Sequence, residues 1–136
     1  MRALLLVSVL MAQTTFAQQL LLVVNVPEGA GFDIDHALSL IRGDTTSWDG
    51  GKGARVLLPS RQSSSYEPVA KAIFGMSGTS MERHWFRLVF SGKANPPEYV
   101  PHDADIIRLV KETPGALGVV ASSAGETAGL LAVPLE

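Results

Sequence analysis

Short runs of branched apolar residues, alternating with stretches in which apolar positions recur every three or four residues, limit what this chain can fold into. The first run covers 20–26 and is stopped by Pro27. An apolar run too short for a helix suits a strand covered on both faces, as in a parallel sheet. Further strands are expected at 55–58 (ended by Pro59), at 98–100, at 117–121 and at 130–135. Between them lie four helical patterns. Asp33 or Asp35 caps a helix running to about Arg42, with Ile34, Leu38 and Ile41 on one face and Gly43 as a left-handed stop. A second helix follows Ser63, Ser64 and Ser65, carries Val69, Ile73 and Phe74, has Pro68 in its first turn and closes at Gly75. A third starts at Ser77 or Thr79, with Met81, Trp85, Leu88 and Val89 at amphipathic spacing. The fourth opens at His102 or Asp103 and runs to about Glu112, before Thr113-Pro114-Gly115 turns the chain. Strands alternating with helices in 136 residues predict one α/β domain, a three-layer sandwich with a mostly parallel sheet.

Several kinds of chemistry are excluded early. The chain has no cysteine, which removes disulfides, thiolate nucleophiles and cysteine-ligated zinc. Its net charge is −2 and it has no basic run, a poor basis for sequence-independent nucleic-acid binding. His36, His84 and His102 fall on three different helical regions with no metal-ligand spacing, and read as solvent-facing or capping side chains. Gly75-Met76-Ser77-Gly78-Thr79 lacks the second glycine of a nucleophile elbow and joins two helices rather than a strand to a helix. Gly50-Gly51-Lys52-Gly53 has no preceding strand and no following serine or threonine, so it reads as a turn rather than a phosphate loop. No enzymatic constellation and no cofactor or metal site emerges.

Residues 1–17 have the form of an export leader. Arg2 gives a positive start, an apolar stretch runs to Ala12, and Thr15-Phe16-Ala17 offers small residues for cleavage after Ala17. That apolar stretch is too short to cross a bilayer core of about 30 Å as a helix. The domain proper is therefore expected over 18–136.

Several segments carry a resemblance. Leu40-Ile41-Arg42-Gly43-Asp44-Thr45-Thr46-Ser47-Trp48 is similar to the helix–glycine–tryptophan segment of the phosphate-type periplasmic substrate-binding proteins. Lys111-Glu112-Thr113-Pro114-Gly115-Ala116-Leu117-Gly118-Val119 resembles their helix–proline–glycine–strand segment, and Met76-Ser77 with the stretch from Trp85 to Gly92 resembles short, single-lobe members. The likeness covers about residues 20–121. It implies one lobe of a type II periplasmic binding protein, a periplasmic location, and solute or oxyanion binding linked to phosphate-type ABC transport. On physical grounds the motifs themselves build the lobe: Gly43 permits a positive φ at a helix end, Trp48 pins a loose loop, and Pro114-Gly115 turns a helix into a strand.

In that family an oxyanion lies between two lobes, and one lobe offers an arginine followed by an Asp-Gly-Ser-Gly-Thr stretch opening a helix. The matching place here is Arg61-Gln62-Ser63-Ser64-Ser65-Tyr66-Glu67. Arg61 and Ser65 are retained; Ser63 replaces the aspartate, Ser64 and Tyr66 replace glycines, and Glu67 replaces the threonine. The resemblance makes Arg61, Ser63, Ser64 and Ser65 the oxyanion-binding candidates. Ser64 or Ser65 equally suits a plain helix cap. A tyrosine restricts backbone approach to a ligand, and a first-turn carboxylate competes with an anion for the helix end. A single lobe also leaves a captured anion in water, where charge pairs contribute little. Tight capture therefore calls for a second lobe in trans or a homodimer. The competing reading is a protein-interaction module that kept the lobe and lost the ligand.

Overall fold

The computed structural model describes residues 19–135; the leader expected over 1–17 lies outside the described residues. The elements are β1 (Leu20–Val24), α1 (Ile34–Arg42), β2 (Arg55–Pro59), α2 (Tyr66–Val69), α3 (Gly78–Phe90), β3 (Glu98–Val100), α4 (Asp103–Glu112), β4 (Ala116–Ala121) and β5 (Leu131–Leu135). One five-stranded sheet runs β3-β2-β4-β1-β5. β2 lies parallel to both β3 and β4, whereas β1 is antiparallel to β4 and β5. Four strands thus share a direction and β1 alone opposes them.

Alternation along the strands sorts the core into two layers. Leu20, Leu22, Val24, Val56, Leu58, Leu117 and Val119 face α1, α2 and α3. Val23, Leu57, Val100 and Val120 point the other way, onto Ile106, Ile107 and Val110 of α4. Helices on both faces make the expected three-layer sandwich.

The local devices follow from the residues. Asp33 caps α1 by accepting the Asp35 N–H at 2.8 Å, and Gly43 ends it at φ 78°. Ser77 caps α3 by accepting from Ser80 N–H. Two expectations need correction. β1 is buried as its apolar run requires, but it is antiparallel to both neighbours, because such a run reports burial on both faces and not strand direction. The second helix keeps α geometry only over α2 and continues as a wider π-helical turn, Ala70–Phe74, ended by Gly75 at φ 65°.

The end of the sheet where β2 and β4 begin is closed by backbone and indole. Trp48 is 2% exposed, and its Nε1–H donates to the Gly115 carbonyl at 2.8 Å. Gly115, at φ 87°, donates its N–H to the Asn25 carbonyl at 2.8 Å. The Asn25 amide donates to the Val110 carbonyl at the end of α4 at 3.0 Å. The segments 40–48 and 111–119, two of those that carry the resemblance, therefore meet in space and hold each other.

Candidate functional site: a serine-lined groove at the strand carboxyl ends

The parallel strands β2, β3 and β4 end together, and the loops leaving them enclose a groove of about 400 Å3. The loop after β2 leads to helices on one face of the sheet and the loop after β3 leads to α4 on the other. In open α/β sheets such divergence outside the carboxyl ends leaves the crevice where ligands bind. Gln62, Ser63, Ser64 and Ser65 line one side; His102 and Asp103, at the start of α4, line the other, and Ala121 closes the floor. Among the described residues no lysine or arginine lines it.

Sequence reasoning missed Asp103 as the centre of this site. Its carboxylate accepts from the Ser63 hydroxyl at 3.2 Å, from the Ser65 hydroxyl at 2.5 Å and from the Ala121 N–H at 2.8 Å. Two hydroxyls and a backbone amide thus converge on one pair of carboxylate oxygens, tying the loop after β2, the end of β4 and the first turn of α4 together. An acid at a helix start is the one signal the sequence offered, since it complements the positive end of the macrodipole.

The four site candidates take different roles. Ser65 is 2% exposed and opens α2, but its hydroxyl makes no capping bond and goes to Asp103 instead. The local turn is braced by Ser63, whose oxygen accepts the Ser65 N–H at 3.1 Å. Ser64 lines the groove from an exposed position. Arg61 is turned away from the groove. Its guanidinium grips the Glu82 carboxylate of α3 with two nitrogens, Nε at 3.0 Å from Oε2. The hydrogen bonds from Arg61 hold the Glu82 carboxyl below the usual glutamate value, against an opposing effect of burial.

The two replacements read as obstacles to a ligand are structural. Tyr66 is 6% exposed and lies against α3, where a Cβ added at Gly78 would stand 2.1 Å from its ring. Glu67 accepts the Gly78 N–H at 3.1 Å, placing its negative charge at the start of the 13-residue α3. The Tyr66 and Tyr99 hydroxyls are buried without a hydrogen bond of good geometry. Burial first, and the Glu82 carboxylate second, raise both phenols above their ordinary value of 10.

Besides His102 in the groove lining, the other two histidines bond main-chain carbonyls of neighbouring segments. His36 Nε2 bonds the Ser47 carbonyl at 3.1 Å and His84 Nε2 bonds the Arg42 carbonyl at 2.8 Å. Among the described residues no group of histidine and carboxylate side chains is placed to hold a metal ion. No described helix is long and apolar enough to cross a membrane.

No family model and no curated protein matches the sequence. Among solved structures the chain is similar to an ABC-type phosphate transport receptor from Vibrio cholerae, with 16% identity and a TM-score of 0.51. The match covers 85% of this chain and 45% of the receptor, so the chain spans less than half of that protein's length. At this identity the likeness shows the fold alone: a mixed α/β sheet with helices on both faces that resembles one lobe of such a receptor.

Proposed function

We propose that the chain is a binding module of the solute-receptor type rather than an enzyme. It is exported to the periplasm by residues 1–17, cleaved after Ala17, and serves phosphate-type ABC transport as a receptor lobe or accessory. Its groove engages phosphate or a related oxyanion, through the hydroxyls of Ser63, Ser64 and Ser65, in partnership with a second lobe supplied by another chain or a second copy. The observation that carries this reading is the convergence of three donors on the Asp103 carboxylate. The same donors that hold a carboxylate suit the oxygens of phosphate, and the chain's own side chain fills the place of a ligand. Arg61 joins the site only if it exchanges Glu82 for the bound anion.

The same geometry favours a second reading. With Asp103 on the serines and Arg61 on Glu82, the lobe is satisfied without a ligand, as an interaction module would be. Thermal melts separate the two. The wild-type monomer is expected to be indifferent to phosphate and sulfate, whereas Asp103→Ala is expected to be stabilised by both. A ligand at a hundred times its dissociation constant adds about 2.7 kcal/mol. A folded Asp103→Ala protein that ignores both anions ends the oxyanion reading and leaves the interaction module. Micromolar phosphate binding by the wild-type monomer would overturn the need for a second lobe.

A further inference from the structure

The outward face of α3 has a composition that neither the core nor the groove explains. Arg83, Phe86, Arg87 and Phe90 recur at the three, four and seven spacing that places them on one side of the helix, and Lys93 follows in the next turn. All five are exposed; Phe86 retains 65% and Phe90 82% of its surface. The two rings stack on each other with centroids 5.4 Å apart and form an apolar ridge. On the opposite side of α3, Met81 and Trp85 are buried in the core, so the helix cannot rotate to hide that ridge.

The unpaired charge around the ridge is of one sign. Between Arg83 and Pro97 the sequence contains no acidic residue, and the neighbouring Glu82 is committed to Arg61. Among the described residues Arg83, Arg87 and Lys93 form no ion pair, while Arg55, Arg61 and Arg108 all do. In a chain of net charge −2 this is a local concentration of unpaired cations around exposed aromatic rings.

We propose that the outer face of α3 docks on an anionic phospholipid surface, with Phe86 and Phe90 entering the headgroup boundary and Arg83, Arg87 and Lys93 pairing with lipid phosphates. A helix lying in the membrane plane uses this combination of apolar side chains flanked by cations. Charge complementarity selects the occupant: a second copy meeting this face symmetrically would bring six cations together. The shape points the same way, because rings that project from a convex helix suit a fluid boundary better than a rigid protein partner, which would need a matching pocket.

The test is co-sedimentation of the full chain with mixed phosphatidylglycerol–phosphatidylcholine vesicles, compared with pure phosphatidylcholine. Because residues 1–17 are themselves apolar, the readout is the difference between variants of the same chain. The part of the binding that the variants lose is expected only with the anionic lipid and is expected to weaken as salt screens the surface. Arg83→Gln with Arg87→Gln is expected to lower partitioning ~5-fold per charge removed. Phe86→Ser with Phe90→Ser is expected to lower it at least as much, and unchanged melting temperatures show that both variants stay folded. An equal loss on neutral vesicles, or binding to anionic vesicles unaffected by either pair of substitutions, overturns the proposal. So does a wild-type chain that ignores vesicles yet is retained on immobilised polyglutamate through the same arginines, which would assign the face to an acidic polypeptide.

Discussion

The two ends of the parallel strands are held in opposite ways. Where β2 and β4 begin, the buried Trp48 indole and the half-buried Asn25 amide close the structure on backbone carbonyls around the buried Gly115. Where β2, β3 and β4 finish, the hold is made by side chains: two serine hydroxyls and one amide on the Asp103 carboxylate, beside an open groove. An end whose donors are spent on main-chain carbonyls holds no carboxylate that another anion could replace. An end locked by a carboxylate keeps donors that a different anion can claim. On the proposed reading, the difference separates the scaffold end from the end that exchanges partners.

The sharpest way to break that contrast is to remove the indole. Trp48→Ala deletes a nearly fully buried ring and strands the Gly115 carbonyl, and the expected loss is about 3–5 kcal/mol in urea unfolding. The response of the groove to anions should be unchanged in whatever fraction remains folded. A loss under about 1 kcal/mol would mean that the loop over 44–54 is not held by its tryptophan and that the two ends are alike.

Asp103→Ala tests the other end, with a smaller expected effect of about 1–3 kcal/mol, since it leaves the Ala121 N–H and the buried Ser65 hydroxyl without their acceptor. Asp103→Asn keeps an acceptor oxygen and should fall between wild type and alanine. If asparagine and alanine cost the same, the carboxylate charge rather than its hydrogen-bond geometry braces the groove.

The scaffold end was legible because its determinants are local and type-specific. Gly43 and Gly115 adopt positive φ where a helix or turn must end, and a lone tryptophan in a polar loop has few places to go but inward. The groove was legible only as far as its serines. Asp103 lies 38 and 40 residues from the hydroxyls it accepts, and nothing local announces such a contact. Arg61 could be placed beside the helix start but not aimed, because its direction depends on Glu82, 21 residues on and in another helix. Tyr66 and Glu67 appeared to spoil a ligand site when judged against one helix. Their actual partner is the start of α3, where Gly78 makes room for the ring and supplies an N–H to the carboxylate. Strand direction was hidden for a related reason: an apolar run fixes how deeply β1 is buried, while its pairing depends on the rest of the sheet.

The smallest effect belongs to the pair that keeps Arg61 out of the groove. Arg61 is largely exposed and Glu82 partly so, with 67% and 24% of their side-chain surfaces in solvent, so water screens the pair and it stabilises the fold little. Its sign with pH is nonetheless definite. The Glu82 carboxyl titrates below its ordinary value of 4.5 in the folded chain, so the folded state favours the ionised form. The stabilisation is complete above 4.5 and fades as pH falls through the lowered value. Wild type should therefore exceed Glu82→Gln in stability slightly at neutral pH and low salt, and the gap should close on acidification and with added salt. In the Asp103→Ala background, Glu82→Gln frees the guanidinium and should strengthen the phosphate response. If the response is unchanged, Arg61 is a surface charge tethered to α3 and the groove's anion chemistry rests on the serines alone.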